Sequence, residues 1–405
     1  MKQTFIINNK IIKIDLGFIA ILILMGLTSL FGLYNAANLI KTGTAASYIL
    51  KQSMWYIIGF ASMIFFTIIQ NDTIFSYIKR AYNILMIALF YLLASRILNS
   101  LIGHTLPFAP TINGACSWFT IPLIGSFQPS EFIKIVLIIM LAQMINEHQE
   151  KFPEPTMKTD FHLLLKAARI LIPPLILIFM QPDTGLCIII AFNALVLILC
   201  SGIRKEYIFI LAIAVISVLG IFFYLYFYQQ EILISIFSSY RVQRIEAWLD
   251  PESYILGSSN QLYTSLLSLG SAGLTGFGLQ ANIISIPEAQ TDFIFAAIGQ
   301  CFGFLGTTIV LLLCLILDLY LCKIAYNTQN KTDRMIIIGV IGMLMYQQLQ
   351  NMGMIVGLLP ITGITLPLIS YGGSSILSYF IAFSIIMNIS PSSKRTINLF
   401  HRPKR

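Results

Sequence analysis

Ten stretches of this chain are apolar for long enough to cross a lipid bilayer, and no other feature restricts its fold as strongly. They lie at about 15–35, 53–70, 82–101, 128–146, 168–181, 184–202, 206–228, 292–322, 335–358 and 367–389. A span needs about 20 predominantly apolar residues, and a helix is the form that pairs its backbone groups within the segment once water is gone. The composition agrees: 57% of the 405 residues are hydrophobic and 10% charged, against about 25% charged in a soluble domain. The fold class is therefore all-α and polytopic, with about ten transmembrane helices in a single multi-pass unit over 1–405.

Lysine and arginine set the orientation. With the N-terminus in the cytoplasm, 19 of the 25 fall on the inner side, as the positive-inside rule requires. Both termini are then cytoplasmic, with a short inner tail at about 390–405. Lys2, Lys10 and Lys13 precede the first apolar run with no small-residue cleavage site, so that run is expected to be the first span. The net charge of +8 follows this membrane pattern and implies no nucleic acid. Six cysteines without CxxC spacing read as packing residues, and four scattered histidines make no zinc pattern.

This orientation puts two long loops outside. One, about 102–127, carries Gly114-Ala115-Cys116-Ser117-Trp118. The other, about 229–291, is the largest non-membrane segment and leads into Asp292. The working face is therefore expected to be extracytoplasmic. The inner loop 147–167, with Pro153 and Pro155, reads as a solvated connector.

Charges inside or beside spans are the candidates for function. Glu131 and Lys134, spaced i, i+3, share one face of the fourth span. They read as an internal ion pair and as the wall of a cavity that meets a charged headgroup, two readings that are compatible. Asp183 stands in Gln181-Pro182-Asp183-Thr184-Gly185, which is ordinary turn chemistry on the outer side. Arg241 and Arg244 are the arginines of the outer loops; their forked donors suit phosphate oxygens, or a loop ion pair with Glu246 or Asp250. Asp292 either caps its helix with Thr291 or acts as a base, and the helix N-terminus should lower its pKa. Gly276-Phe277-Gly278-Leu279-Gln280-Ala281 lacks the strand context of a dinucleotide fingerprint. Gly299-xxx-Gly303 and Gly353-xxx-Gly357 have helix-packing spacing.

Six segments, NGACSWFTIPLIGSFQPSEFIK, QPDTG, RIEAWLDPES, SLGSAGLTGFG, IPEAQTDFIFA and GLLPITGITLPLISYGGSS, resemble the SEDS family of RodA, FtsW and SpoVE proteins in order and spacing. The first of them leans toward the RodA branch. The resemblance implies a peptidoglycan glycosyltransferase that polymerises lipid II at the outer face of the bacterial cytoplasmic membrane, with undecaprenyl pyrophosphate leaving on inversion, for cell-wall elongation. It implies Asp292 as the essential aspartate, and Glu131, Lys134, Gln128, Trp118, Asp183, Arg241 and Arg244 as substrate-binding candidates. A divalent cation, Mg or Mn, and a class B penicillin-binding protein are the implied cofactor and partner. A lipid II flippase and a non-catalytic scaffold for that partner are the alternatives. The chain departs from the family pattern at Ser117, where arginine is common, at Ala272 in the GSGG segment, and at Gln300-Cys301, where an acidic pair is common. Asp292 is therefore expected to work with less acidic help than its relatives have.

Overall fold

The computed structural model describes residues 2–7, 10–40, 44–111, 115–121, 125–237, 239–255, 257 and 259–389. The expected inner tail at 390–405, Lys41 and Gly114 lie outside the described residues.

Strands β1 (Lys2–Ile7) and β2 (Lys10–Asp15) form an antiparallel hairpin in the register Lys2↔Asp15. Helix α1 (Leu16–Asn35) follows at once, because the Asp15 carboxylate accepts from Gly17 N at 3.2 Å and caps it. Helices α2 (Ala45–Ile69) and α3 (Asn71–Ile102) come next, and α3 stops at Gly103. In the first outer loop, β3 (Phe119–Ile121) pairs antiparallel with β4 (Gly125–Phe127). Then come α4 (Pro129–Lys151), with proline in its first turn where no N–H is needed, α5 (Met157–Met180), α6 (Thr184–Cys200) and α7 (Lys205–Tyr228).

The outer segment 229–291 is not a loop throughout, as expected, but holds three helices: α8 (Gln230–Phe237), α9 (Ser239–Leu249) and α10 (Asn260–Ala272). They are short and mixed in polarity, so a search for spans passes over them. The chain closes with α11 (Ile294–Asn327), α12 (Lys331–Ile355) and α13 (Gly373–Ile389).

Each of the ten expected runs coincides with a helix. Seven are long and apolar enough to cross a membrane (α1, α2, α3, α4, α5, α7 and α11), α6 and α13 are apolar but 17 residues each, and α12, at 25 residues, is long enough but is not among the seven. The inner connector is much shorter than the expected 147–167. Helix α4 runs on to Lys151 and α5 begins at Met157, where Thr156 and Thr159 form a reciprocal capping box. Charged residues are carried within both helix ends, and Asp160, buried, accepts from Arg204 N at 2.9 Å.

Helix α4 is the axis of the bundle, in contact with α3, α5, α6, α12 and α13. Its most apolar window is 78% buried, whereas that of α7 is 0% buried. Helix α11 is two helices in series, broken at Gly303 (φ 59°, ψ −150°). The break frees backbone groups, which the segment after α10 takes up. Phe277 N and Gly278 N donate to the carbonyls of Gln300 and Cys301, both at 2.9 Å. Phe304 N and Leu305 N donate to Gly273 O at 3.0 Å and Leu274 O at 3.1 Å. A Cβ at Gly303 would lie 2.6 Å from Gly273 O. Of the expected packing pair, Gly299 does sit against Leu269, but Gly303 serves this break.

Candidate functional site

Two polar centres stand on either side of the segment that joins α12 to α13. The first is built on the start of α4. Lys134 Nζ lies 2.5 Å from Glu131 Oε2, and the lysine is 1% exposed. The i, i+3 spacing thus yields the internal ion pair. Lys134 also sits over the Tyr379 ring, 4.6 Å from its centroid. The Tyr379 hydroxyl donates to Gln347 Oε1 at 3.0 Å.

Beside this pair, Trp118 Nε1 donates to Gln128 Oε1 at 3.1 Å, and Gln128 Nε2 donates to Asp183 Oδ2 at 2.8 Å. The other Asp183 oxygen accepts from Leu186 N at 3.2 Å and caps α6, so the turn reading of QPDTG holds. Burial pushes Asp183 up to about 6, with Glu131 adding to the rise and Leu186 N, Lys134 and Gln128 opposing it. Ser117, at the position where arginine is common, is buried and donates to Gln181 O at 3.0 Å. It ties the outer hairpin to the turn before Asp183.

The second centre is Asp292. It lies two residues ahead of α11 and does not cap it: the N-cap is Phe293, with no side-chain hydrogen bond. Its backbone is held firmly, because three consecutive carbonyls are each bonded across the molecule. Tyr371 N donates to Gln290 O at 3.0 Å, Ser370 Oγ to Thr291 O at 2.7 Å, and Asn351 Nδ2 to Asp292 O at 2.8 Å. The carboxylate itself faces Gly363, where an added Cβ would lie 3.4 Å from Asp292 Oδ2 and 3.8 Å from Arg244 Nη1. Gly363 has φ +74°, so its lack of a side chain both permits the turn and keeps this space clear. Arg244 is positioned by its own bond to Ile361 O at 3.3 Å, and Trp248, one turn further along α9, donates to Gly357 O at 2.9 Å.

The expected lowering of the Asp292 pKa is reversed. Burial and the Glu288 carboxylate push it up to about 6, against the pull of Arg244. Loss of water outweighs the helix end because the first helical turn begins beyond the carboxylate. The structure therefore brings Arg244 to Asp292, groups Trp118, Gln128 and Asp183 with Glu131 and Lys134, and keeps these two sets apart. Arg241 lies on α9, with its side chain outside the described residues.

Between the sets runs the segment 360–364. A Cβ at Gly185, in the first turn of α6, would lie 3.2 Å from Thr362 O, one residue from the Gly363 gap. Four buried amides in one stretch of α12 hold this arrangement. Gln347 accepts from Tyr379, Gln348 Nε2 donates to Asp318 Oδ1 at 3.3 Å, and Gln350 Nε2 donates to Pro360 O at 3.0 Å. Asn351 Nδ2 bonds Ile364 O at 2.7 Å as well as Asp292 O. Sequence reasoning missed them, although four amides within five residues of a span are a signal.

Among the described residues, no group of three or more His, Cys, Asp or Glu is placed to hold a metal ion. Asp292 and Glu288 offer two carboxylates at most, which suits Mg²⁺ only when substrate phosphates complete its shell. Gln300, in place of the commonly acidic residue, is fully buried and satisfied on both sides of its amide. It accepts from Ile283 N at 2.8 Å and Ile284 N at 3.3 Å, and donates to Ser268 Oγ at 3.0 Å and Ile284 O at 2.9 Å.

Comparison with known proteins bears on the whole chain. Residues 13–395 match the family described as cell cycle protein, FtsW/RodA/SpoVE. Stage V sporulation protein E of Bacillus subtilis (strain 168) is 33% identical, over 70% of this chain and 73% of its own. Peptidoglycan glycosyltransferase MrdB of Escherichia coli (strain K12) is 32% identical, over 71% of this chain and 74% of its own. Among solved structures, one described as "Structural coordination of polymerization and crosslinking by a peptidoglycan synthase complex" superposes with a TM-score of 0.73 at 22% identity. It covers 94% of this chain and 99% of that one.

Proposed function

This chain belongs to the FtsW/RodA/SpoVE family, and from that premise we propose that Asp292 is the general base of its glycosyl transfer. The protein is a peptidoglycan glycosyltransferase and a multi-pass protein of the bacterial cytoplasmic membrane. Its donor, on this reading, is lipid II presented at the outer face. A hydroxyl of the acceptor sugar gives its proton to the Asp292 carboxylate and attacks the anomeric carbon of the donor. The bond to undecaprenyl pyrophosphate breaks with inversion, and the pyrophosphate carries away the negative charge. Pyrophosphate leaves readily, so one carboxylate suffices, unlike the pair required in glycoside hydrolysis.

The observation that carries the reading is the Asp292 carboxylate held beside Arg244 across the side-chain-free gap at Gly363. A pKa raised to about 6 leaves the group ionised at neutral pH and makes it a stronger base than an ordinary aspartate. Arg244, with forked donors at this spot, suits the pyrophosphate oxygens. A divalent cation, when bound, would be held by Asp292 and Glu288 with substrate phosphates and would neutralise leaving-group charge. Trp118, Gln128, Asp183, Glu131 and Lys134 support the opposite wall of the site. A class B penicillin-binding protein is the proposed partner, in keeping with the peptidoglycan synthase complex described for the structural relative.

The test supplies purified protein, with its partner, with lipid II and Mg²⁺ or Mn²⁺. Glycan ladders from the wild type that vanish in Asp292→Asn, with thermal unfolding unchanged, are the expected result. Ladders persisting in Asp292→Asn refute the base. Transbilayer movement of lipid II without polymer indicates a flippase. The departure at Gln300 has a hydrogen-bonding cause, in its bonds to Ser268 and the 283–284 backbone.

A further inference from the structure

Asn351 lies at the meeting point of the two strands of backbone that define the Asp292 centre. Its single Nδ2 donates to Asp292 O at 2.8 Å and to Ile364 O at 2.7 Å. The residue is 0% exposed, and its Oδ1 is buried without a hydrogen-bond partner. An amide turned the other way would set an oxygen against two carbonyl oxygens, so the partners fix its orientation. Leaving a buried acceptor unpaired is costly, and the geometry accepts this in order to spend both N–H bonds on these two carbonyls. One residue before Ile364 stands Gly363, the gap that separates the Asp292 carboxylate from Arg244. Arg244 is tied to the same segment through Ile361 O, and Gln350, adjacent to Asn351, holds it at Pro360 O.

We propose that Asn351 is a positioning residue for glycosyl transfer: it fixes the distance between the Asp292 carboxylate and the Arg244-bearing face of the 360–364 segment. It touches no substrate. Its bond to Asp292 sets where the base stands, and its bond to Ile364 sets where the opposing wall stands. No other side chain in the described hydrogen-bond network spans both. The same α12 stretch reaches the other centre, since Gln347 receives the Tyr379 hydroxyl and Tyr379 stacks on Lys134. Movement of α12 therefore shifts both walls of the site together. This inference rests on Asp292 being the base.

Three variants test it in the lipid II assay, each with the wild type and Asp292→Asn alongside. Asn351→Asp keeps the volume and removes the amide donors. Asn351→Ala removes the side chain beyond Cβ. Asn351→Ser keeps one donor and guards against a variant that fails to fold. A displacement of about 1 Å costs on the order of 10²-fold in rate, so kcat should fall by roughly that factor in Asn351→Asp and Asn351→Ala and by less in Asn351→Ser. KM should barely move, because the substrate contacts remain. In Asn351→Ala and Asn351→Ser the acid limb of the kcat profile should shift to lower pH, since a loosened Asp292 regains the water whose loss is the largest cause of its raised pKa, with Glu288 and Arg244 the charged groups that face it; in Asn351→Asp the added carboxylate opposes that shift. A purely structural role would lower the yield of folded protein and leave both kcat per folded molecule and the acid limb in place; that result overturns the proposal. A wild type that makes no polymer overturns the underlying function instead, so the two failures are distinct.

Discussion

The two polar centres of this protein are built from similar groups and are closed to different degrees. At Lys134, the cation, its carboxylate partner and the ring beneath it are in contact, and the lysine is almost wholly buried. At Asp292, the backbone is bonded at three successive carbonyls, yet the carboxylate faces a gap kept open by a glycine. The first centre uses charge to hold α4 against α13 in a medium where unpaired charge is expensive. The second holds everything except the reactive atoms. A buried ion pair is by itself weak evidence of chemistry, whereas a fixed main chain that sets a carboxylate beside a glycine and an arginine is the arrangement a reacting group requires.

The sharpest way to break this comparison is to neutralise each centre in turn. Asp292→Asn should reduce polymerisation by about 10²–10⁴-fold, the usual worth of a general base, with no change in thermal unfolding. Lys134→Met should do the converse. It leaves Glu131 buried without its partner, at about 3–5 kcal/mol of stability, while Glu131→Gln combined with Lys134→Met recovers most of the loss. Chemical denaturation in detergent reads both, and equal losses in the single and double variants would show the pair to be unimportant. Gly363→Ala should cost about 1–2 kcal/mol for a side chain in the left-handed region. It should also lower kcat, because the methyl group enters the space 3.4 Å from Asp292 Oδ2. Arg244→Gln removes the forked donors offered to the pyrophosphate and so should lower kcat/KM, and it should also shift the pH dependence. Activity in the wild type should rise as Asp292 deprotonates at about 6, and Arg244 opposes the upward push on that group. Removing the arginine therefore moves the acid limb to higher pH, and an unmoved limb would mean that Arg244 does not sense the carboxylate in solution.

Legibility from the sequence followed hydrophobicity closely and hydrogen bonding poorly. The ten apolar runs are all helices, since burial in lipid leaves the backbone little choice. The ends of α4 and α5 were misjudged because Glu147, Glu150, Lys158 and Asp160 are polar but remain helical. Among the candidate residues, Glu131 and Lys134 showed their pairing by spacing alone. Asp292 showed its place but not its basicity, which depends on Glu288, Arg244 and the water excluded by the 360–372 segment. Asn351 and Gln347 carry no charge, so their cluster of amides in a span marked the place as polar but did not name the distant residues they would contact. Gln300 looked like a lost acid and proved to be an amide that both donates and accepts, which an ionised carboxylate cannot do.

The break at Gly303 divides α11 at a useful place. Both halves are bonded to the segment following α10, the half that starts beside Asp292 through the carbonyls of Gln300 and Cys301 and the half after Gly303 through Phe304 N and Leu305 N, while the second half also exposes Phe304, Leu305 and Ile309. Bilayers thin and thicken, and a continuous rod would pass each such change along its length as tilt. With the break clamped by backbone bonds to the segment following α10, the half beside Asp292 takes its direction from that segment as well as from the rest of its own helix.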